Sequence, residues 1–221
     1  MAINTTFDFG TLTNENLSLD DFTYITTTAG SQTGVLARAD SGWKTLEDVA
    51  AAAAGGTKIV WSNWGALVQA GSDMVSDKLG FQANHLQLKG GKATLNALVA
   101  KDANLAWGGG IQRGLVAAGE VVILASAEDK PLVQAPGTKT LADYGIKHKL
   151  GFQFIVVGPK NMDSAAREAI ATAIAEIMND PKSKTAQFVT KQYPPGPVVV
   201  SGKALEQSLR ANLAANKSIV W

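Results

Sequence analysis

A chain of 221 residues, 46% hydrophobic and 18% charged, can bury a sizeable core, which excludes a disordered polypeptide and leaves one large domain or two small ones. A formal net charge of +1 without a basic block gives no electrostatic footprint for nucleic acid, and the absence of cysteine removes disulfides, thiolate nucleophiles and cysteine-ligated metals together. No apolar run approaches the roughly 18 residues of a membrane span, and the polar N-terminal segment has neither the basic nor the apolar region of a secretory signal.

Beyond that segment, strand-like runs alternate with helical patterns. TYITTT (23–28) and GVLAR (34–38) lead to the helical TLEDVAAAAA (45–54), and KIVWS (58–62) leads to ALVQAGSDMVSDKL (66–79). HLQL (85–88) is followed by KATLNALVA (92–100), NLAW (104–107) by IQRGLVAA (111–118), and VVILAS (121–126) closes the series. Such alternation marks parallel sheets with crossover helices, so the expected fold class is α/β. Punctuation agrees: Thr45 and Asp48 have capping-box spacing, Gly55-Gly56 ends that helix, and Gly119 closes the one before Val121.

The C-terminal third reads as amphipathic helices. In 163–180, Ala166, Ile170, Ile174 and Ile177 fall on one face, and Pro181 stops the helix. A second helix repeats Leu205, Leu209 and Leu213 every four residues, with Ser201 as its cap, and YPPGP (193–197) is a rigid loop joining helical segments. Both helices are expected to pack, without chemistry.

Two segments sit where a strand hands over to a helix, the place where open α/β sheets bind ligands. They are Ser62-Asn63-Trp64-Gly65-Ala66 and Trp107-Gly108-Gly109-Gly110. Unpaired amides at a helix start, with the helix dipole, favour a carboxylate or phosphate without any lysine. Ser62 and Asn63 are candidate side-chain donors, and Trp64 and Trp107 candidate apolar walls. The same pattern also serves a turn that needs glycine for conformation and tryptophan for packing.

Catalytic chemistry has little support. His85 and His148 lack metal-ligand spacing and read as a packed and a solvated histidine, and Asp20-Asp21 and Glu128-Asp129 read as solvated charge. No nucleophile elbow, zinc-binding helix motif or Walker loop occurs. The expectation is no enzyme, no metal and no cofactor.

Several stretches together resemble the substrate-binding receptors of the tripartite tricarboxylate transporter family, also called Bug-type extracytoplasmic solute receptors. LSLDDFTYITTTAGSQTGVLARADSGWKTLEDV is similar to the family's turn, strand, crossing strand and "K-T-L-x-E/D-L/V" helix start, and KIVWSNWGALVQAGSDMVSDKLGFQ to its serine-to-glycine loop and helix. LKGGKATLNALVAKDANLAWGGG resembles its most characteristic stretch, with Lys89-Gly90, Leu95, Leu98 and Leu105-Ala106-Trp107 in the expected places. GLVAAGEVVILASAEDKP and TLADYGIKHKLGFQFIVVGPKNMD resemble a later strand and the return to the first domain.

The resemblance spans nearly the whole chain in order. It implies a type II periplasmic-binding-protein architecture of two α/β lobes linked by crossing strands, with 1–38 plus 152–221 as the first lobe and 39–151 as the second. It implies a periplasmic receptor that closes on a small organic acid and delivers it to the membrane permease subunits of the transporter. Gly65-Ala66 stands where the family has a glycine-hydroxyl pair, Gln69 where it has histidine, and Gly108–Gly110 where it often has an acidic or polar residue; a purely anionic ligand is therefore expected rather than an amino acid. Ser31 and Gln32, in a polar turn before the crossing strand, are further candidate contacts. The family's signal peptide, first strand and proline-glycine-glycine loop have no counterpart, so the first lobe is expected to be incomplete at its N-terminus, with dimerisation as one way to cover the exposed edge. The alternatives are an effector-binding regulatory domain, an enzyme on the same scaffold, or a receptor remnant that no longer binds.

Overall fold

The computed structural model describes residues 2–4, 16–146 and 150–217. The chain divides into two compact units, Met1–Ser31 with Phe152–Trp221, and Gln32–Gly151. It therefore crosses between them twice, at 31/32 and at 151/152.

The first unit is built on an antiparallel sheet in the order β1-β8-β2, with β1 Ala2–Asn4, β2 Phe22–Gly30 and β8 Gln153–Pro159. Alternation along β2 and β8 gives the sheet two apolar faces. Tyr24, Ile155 and Val157 pack against Leu205 and Leu209 of α7 (Gly202–Asn216) on one face. Ile25 and Val156 meet Ala171, Ile170 and Ile174 of α5 (Ser164–Asn179) on the other. The threonine run of β2 would leave hydroxyls in this core, and they are satisfied locally: Thr27 Oγ1 donates to the Val198 carbonyl at 2.6 Å and accepts from the Val200 amide at 2.9 Å.

The leucine repeat of α7 faces inward as expected, with Leu205 and Leu209 buried and Leu213 packed beside them. In α5, capped by Asp163 through the Ala166 amide at 2.8 Å, the buried face differs from the expected one. Ala171 sits at its centre with Ile170 and Ile174, whereas Ala166 is exposed and Ile177 is 47% exposed. A further short helix, α6 (Lys184–Gln192), is capped by Ser183 and buries Ala186 and Val189. Asp20 is not merely solvated: Arg210 of α7 reaches it at 2.6 Å and also holds Glu206 at 2.9 Å. That guanidinium lowers the Asp20 carboxyl below its ordinary range.

The second unit carries a five-stranded sheet in the order β5-β4-β6-β3-β7, built from β3 Gly34–Arg38, β4 Ile59–Asn63, β5 Ala83–Gln87, β6 Leu105–Gly108 and β7 Val121–Ser126. β4 runs parallel to β5 and β6, while β3 is antiparallel to both β6 and β7. The sheet is therefore mixed rather than wholly parallel: β4, β5, β6 and β7 point one way and β3 alone runs against them. The crossover helices are α2 (Ala66–Leu79), α3 (Gly91–Val99) and α4 (Arg113–Ala117). Because β3 bonds to β6 and β7, residues 34–38 lie in this unit, whereas the boundary expected from sequence falls after residue 38.

The helix α1 (Leu46–Ala54) starts at the expected capping box, with the Asp48 amide donating to Thr45 Oγ1 at 3.2 Å and the Thr45 amide to the Asp48 carboxylate at 2.9 Å. Its Glu47 accepts from Lys139 at 2.6 Å and from the Tyr144 hydroxyl at 2.8 Å, fastening the helix to the segment after β7. Trp61 and Trp107 stack with centroids 5.2 Å apart in the core of the sheet.

Candidate ligand-binding site

At the carboxyl end of β4 the chain turns through Trp64 and Gly65 into α2, and at the end of β5 it turns through Gly90 into α3. Both helices begin at a glycine with no side-chain cap, whereas α1, α5 and α6 are capped by Thr45, Asp163 and Ser183. The first amide of the α2 turn to bond back is that of Gln69, to the Gly65 carbonyl at 3.1 Å. The amides of Ala66, Leu67 and Val68 precede it and have no intrahelical acceptor. A helix start of this kind contributes about 0.3–1 kcal/mol toward an anion at an exposed position and up to about 2 where partly buried.

The two helix starts are neighbours. A Cβ on Gly91 would lie 3.8 Å from the Trp64 ring and 3.8 Å from Ile111 Cδ1, so Trp64, the α3 turn and the loop after β6 meet at one place. Trp64, Gly65 and Gly109 are half-buried and Ala66 is exposed, leaving them open to a ligand. Glycines at 90 and 91 escaped the sequence-level selection of site residues, although they repeat the strand, glycine, helix pattern already noted after β4.

The other sequence-selected residues are placed differently. Ser62 is fully buried on the face opposite α2, where its hydroxyl lies 3.1 Å from the Thr94 carbonyl and 3.2 Å from that of Leu105. Asn63 is also fully buried; its Nδ2 donates to the Trp61 carbonyl at 3.0 Å and its Oδ1 accepts from Ser72 at 2.7 Å. Both side chains are thus committed within the protein, which corrects the reading of them as donors to a ligand. Trp107 is a core residue rather than a wall, wholly buried, with its indole nitrogen donating to Ser72 Oγ at 2.8 Å.

In the loop after β6, Gly108 is required by packing: a Cβ there would come within 2.6 Å of Leu36 Cδ1 and 2.7 Å of Gln112 Oε1. The buried Gln112 accepts from the Gly110 amide at 2.8 Å and donates to the Gln32 carbonyl at 3.0 Å. Gln32 in turn accepts from the Val133 amide at 3.0 Å through Oε1. Gln112 therefore shapes the loop from beneath and ties it to the chain entering β3. Ser31 belongs to the first unit, where its amide donates to the Phe152 carbonyl and its hydroxyl accepts from the Phe152 amide, each at 2.8 Å.

His85 lies on β5 in contact with Asn63 and Asp73, a packed histidine bonded on both nitrogens. His148 lies outside the described residues. Glu128 is not simply solvated, since it is half-buried and accepts from the Thr33 amide at 2.7 Å. Among the described residues no group of three His, Asp or Glu side chains is arranged to hold a metal, and no described helix is long and apolar enough to cross a membrane.

A sequence profile of the family described as "Tripartite tricarboxylate transporter family receptor" matches residues 7–219. Among solved structures, the fold is similar to a TctC solute-binding protein from Polaromonas, with a TM-score of 0.74 and 18% identity over 99% of this chain and 76% of that one. It is similar to MatC from Rhodopseudomonas palustris with bound malate, at a TM-score of 0.79 and 14% identity over 99% and 78% of the two chains. It is similar also to R. palustris Rpa4515 with adipate, at 0.76 and 16% identity over 90% and 67%. At these identities the likeness is one of fold. No curated protein matches the sequence significantly.

Proposed function

The chain belongs to the tripartite tricarboxylate transporter receptor family, and from that premise we propose that it captures a small organic carboxylate at the starts of α2 and α3 and delivers it to the membrane subunits of such a transporter. Receptors of this family bind solutes and are not enzymes; they work in the periplasm. The bound malate and adipate of the two R. palustris proteins support an aliphatic carboxylate as the ligand class.

One observation carries the reading. Two adjacent helices begin at glycines with no side-chain cap, whereas α1, α5 and α6 supply Thr45, Asp163 and Ser183 for that purpose. The start of α2 offers the amides of Ala66, Leu67 and Val68 to an oxygen anion, and the start of α3 those that precede Ala93, whose own amide bonds the Gly90 carbonyl at 3.1 Å. Trp64 and Ile111 supply the apolar flank, and Gly109 lets a ligand approach the backbone.

Gly65→Asp tests this directly. Residue 65 is extended and a Cβ there has open space, so an aspartate can cap α2 with its own carboxylate. The variant is expected to melt no lower than the parent while losing at least about tenfold in affinity for malate, adipate or citrate, followed by tryptophan fluorescence. Unchanged affinity in a folded Gly65→Asp protein would rule out the α2 start as the carboxylate site. Trp64→Phe is expected to remove most of the fluorescence change while leaving binding measurable by calorimetry.

A further inference from the structure

A chain of polar contacts runs through the second unit from its core to its surface. Trp107 Nε1 donates to Ser72 Oγ at 2.8 Å, and Ser72 Oγ to Asn63 Oδ1 at 2.7 Å. Asn63 Nδ2 meets His85 Nδ1 at 3.0 Å, and His85 Nε2 meets Asp73 Oδ1 at 2.8 Å. Ser72 Oγ also lies 3.1 Å from the Val68 carbonyl, and the direction of the links at Asn63 and His85 is fixed by chemistry. Asn63 Nδ2 also lies 3.0 Å from the Trp61 carbonyl, which can only accept, so the nitrogen of the carboxamide must be on that side. His85 Nδ1 is then an acceptor, and the ring proton sits on Nε2, facing the Asp73 carboxylate.

This leaves the relay with one tautomer and no room for a second proton. Protonation at Nδ1 would set one N–H against another. Turning the carboxamide over would relieve that clash, but would bring Oδ1 against the Trp61 carbonyl and forfeit the hydrogen bond there. Either rearrangement costs a bond at a fully buried residue. The affected residue is the last of β4, two positions before the glycine that opens α2, and its carbonyl accepts from the Leu88 amide at 2.9 Å.

We propose that His85 is a positioning residue for the α2 anion site: in its singly protonated form it holds Asn63 and with it the β4–α2 turn, and a second proton releases that turn and weakens ligand capture. The link to capture rests on the function proposed above; the link to the turn does not. The elements packed most closely on β5 are β4 and α2. β4 carries no ionisable side chain, and of the charged residues of α2, namely Asp73, Asp77 and Lys78, Asp73 is the one bonded to the ring. The His85 side chain is 20% exposed and that of Asp73 51%, so protons reach the pair from solvent.

The test has two arms on the full chain. Without ligand, NMR follows the His85 ring nitrogens, the Trp107 indole N–H and the amides of residues 65–68 from about pH 8 to about pH 5. All three sets are expected to move together in the parent, while in His85→Gln the indole and turn amides stay still. With malate as the probe, the parent is expected to lose about five- to tenfold more affinity across the same range than His85→Gln, a comparison in which the ligand's own titration cancels. Turn amides that stay still while His85 titrates would overturn the proposal, as would identical affinity profiles in parent and variant. If the amides move with His85 but no carboxylate binds at any pH, the positioning role stands and the carboxylate reading falls.

Discussion

Gly108 has no room for a side chain, since Leu36 and Gln112 already occupy the space at 2.6 and 2.7 Å from where a Cβ would sit. Gly108→Ala should therefore displace Gln112, the residue that holds the Gly110 amide, and lower stability by about 1–3 kcal/mol in urea unfolding. Glu47 offers a pH-dependent test. Lys139 above all, with Tyr144, holds its carboxyl down to about 2 against an ordinary 4.5. A depressed carboxyl adds stability above its unfolded value and loses it as pH falls through the folded one, so the gap between parent and Glu47→Gln should be full above about pH 4.5 and close toward about pH 2. With that side chain 48% exposed, solvent screening keeps the gap near or below about 1 kcal/mol, read from melts at each pH. Ser62 and Asn63 show what a sequence conceals at this scale. Polarity and position at a strand end are visible, but whether a hydroxyl faces solvent or the Thr94 carbonyl depends on which face of β4 it occupies and what packs there.

At the level of elements, helix and strand order is readable because periodicity and caps are local. The Thr45 box, the leucine face of α7 and the α2 and α3 starts all follow from residues within a few positions of one another. The buried face of α5 is harder to read because alanines occur all around it: the isoleucines at 170, 174 and 177 share one face, but the buried Ala171 lies about 100° round the helix from Ile170 and turns the face toward itself. The reversed direction of β3 is hidden for a different reason: side-chain alternation is the same whichever way a strand runs, and only partners far along the chain decide it. These two helices give a paired test by thermal or urea unfolding. Leu205→Ala in α7 removes a fully buried side chain and should cost about 2–5 kcal/mol. Ile177→Ala in α5, 47% exposed, should stay within about 0.5 kcal/mol of the parent.

Over the whole molecule, the two units are made from the chain in unlike ways. Residues 32–151 are continuous and contain every strand of the five-stranded sheet together with its crossover helices. A fragment of these residues should fold alone, giving a cooperative melt and a circular dichroism spectrum of mixed helix and strand; a featureless, non-cooperative melt would show that it depends on the rest of the chain. The first unit has no such independence, because its sheet order is β1-β8-β2 and the central strand is the last of the three in sequence. On the ribosome, β2 emerges early and remains without its partner until all of 32–151 has followed and β8 arrives between it and β1. A premature stop codon just before residue 153 would thus spare the second unit completely and leave the first as two strands that never touch.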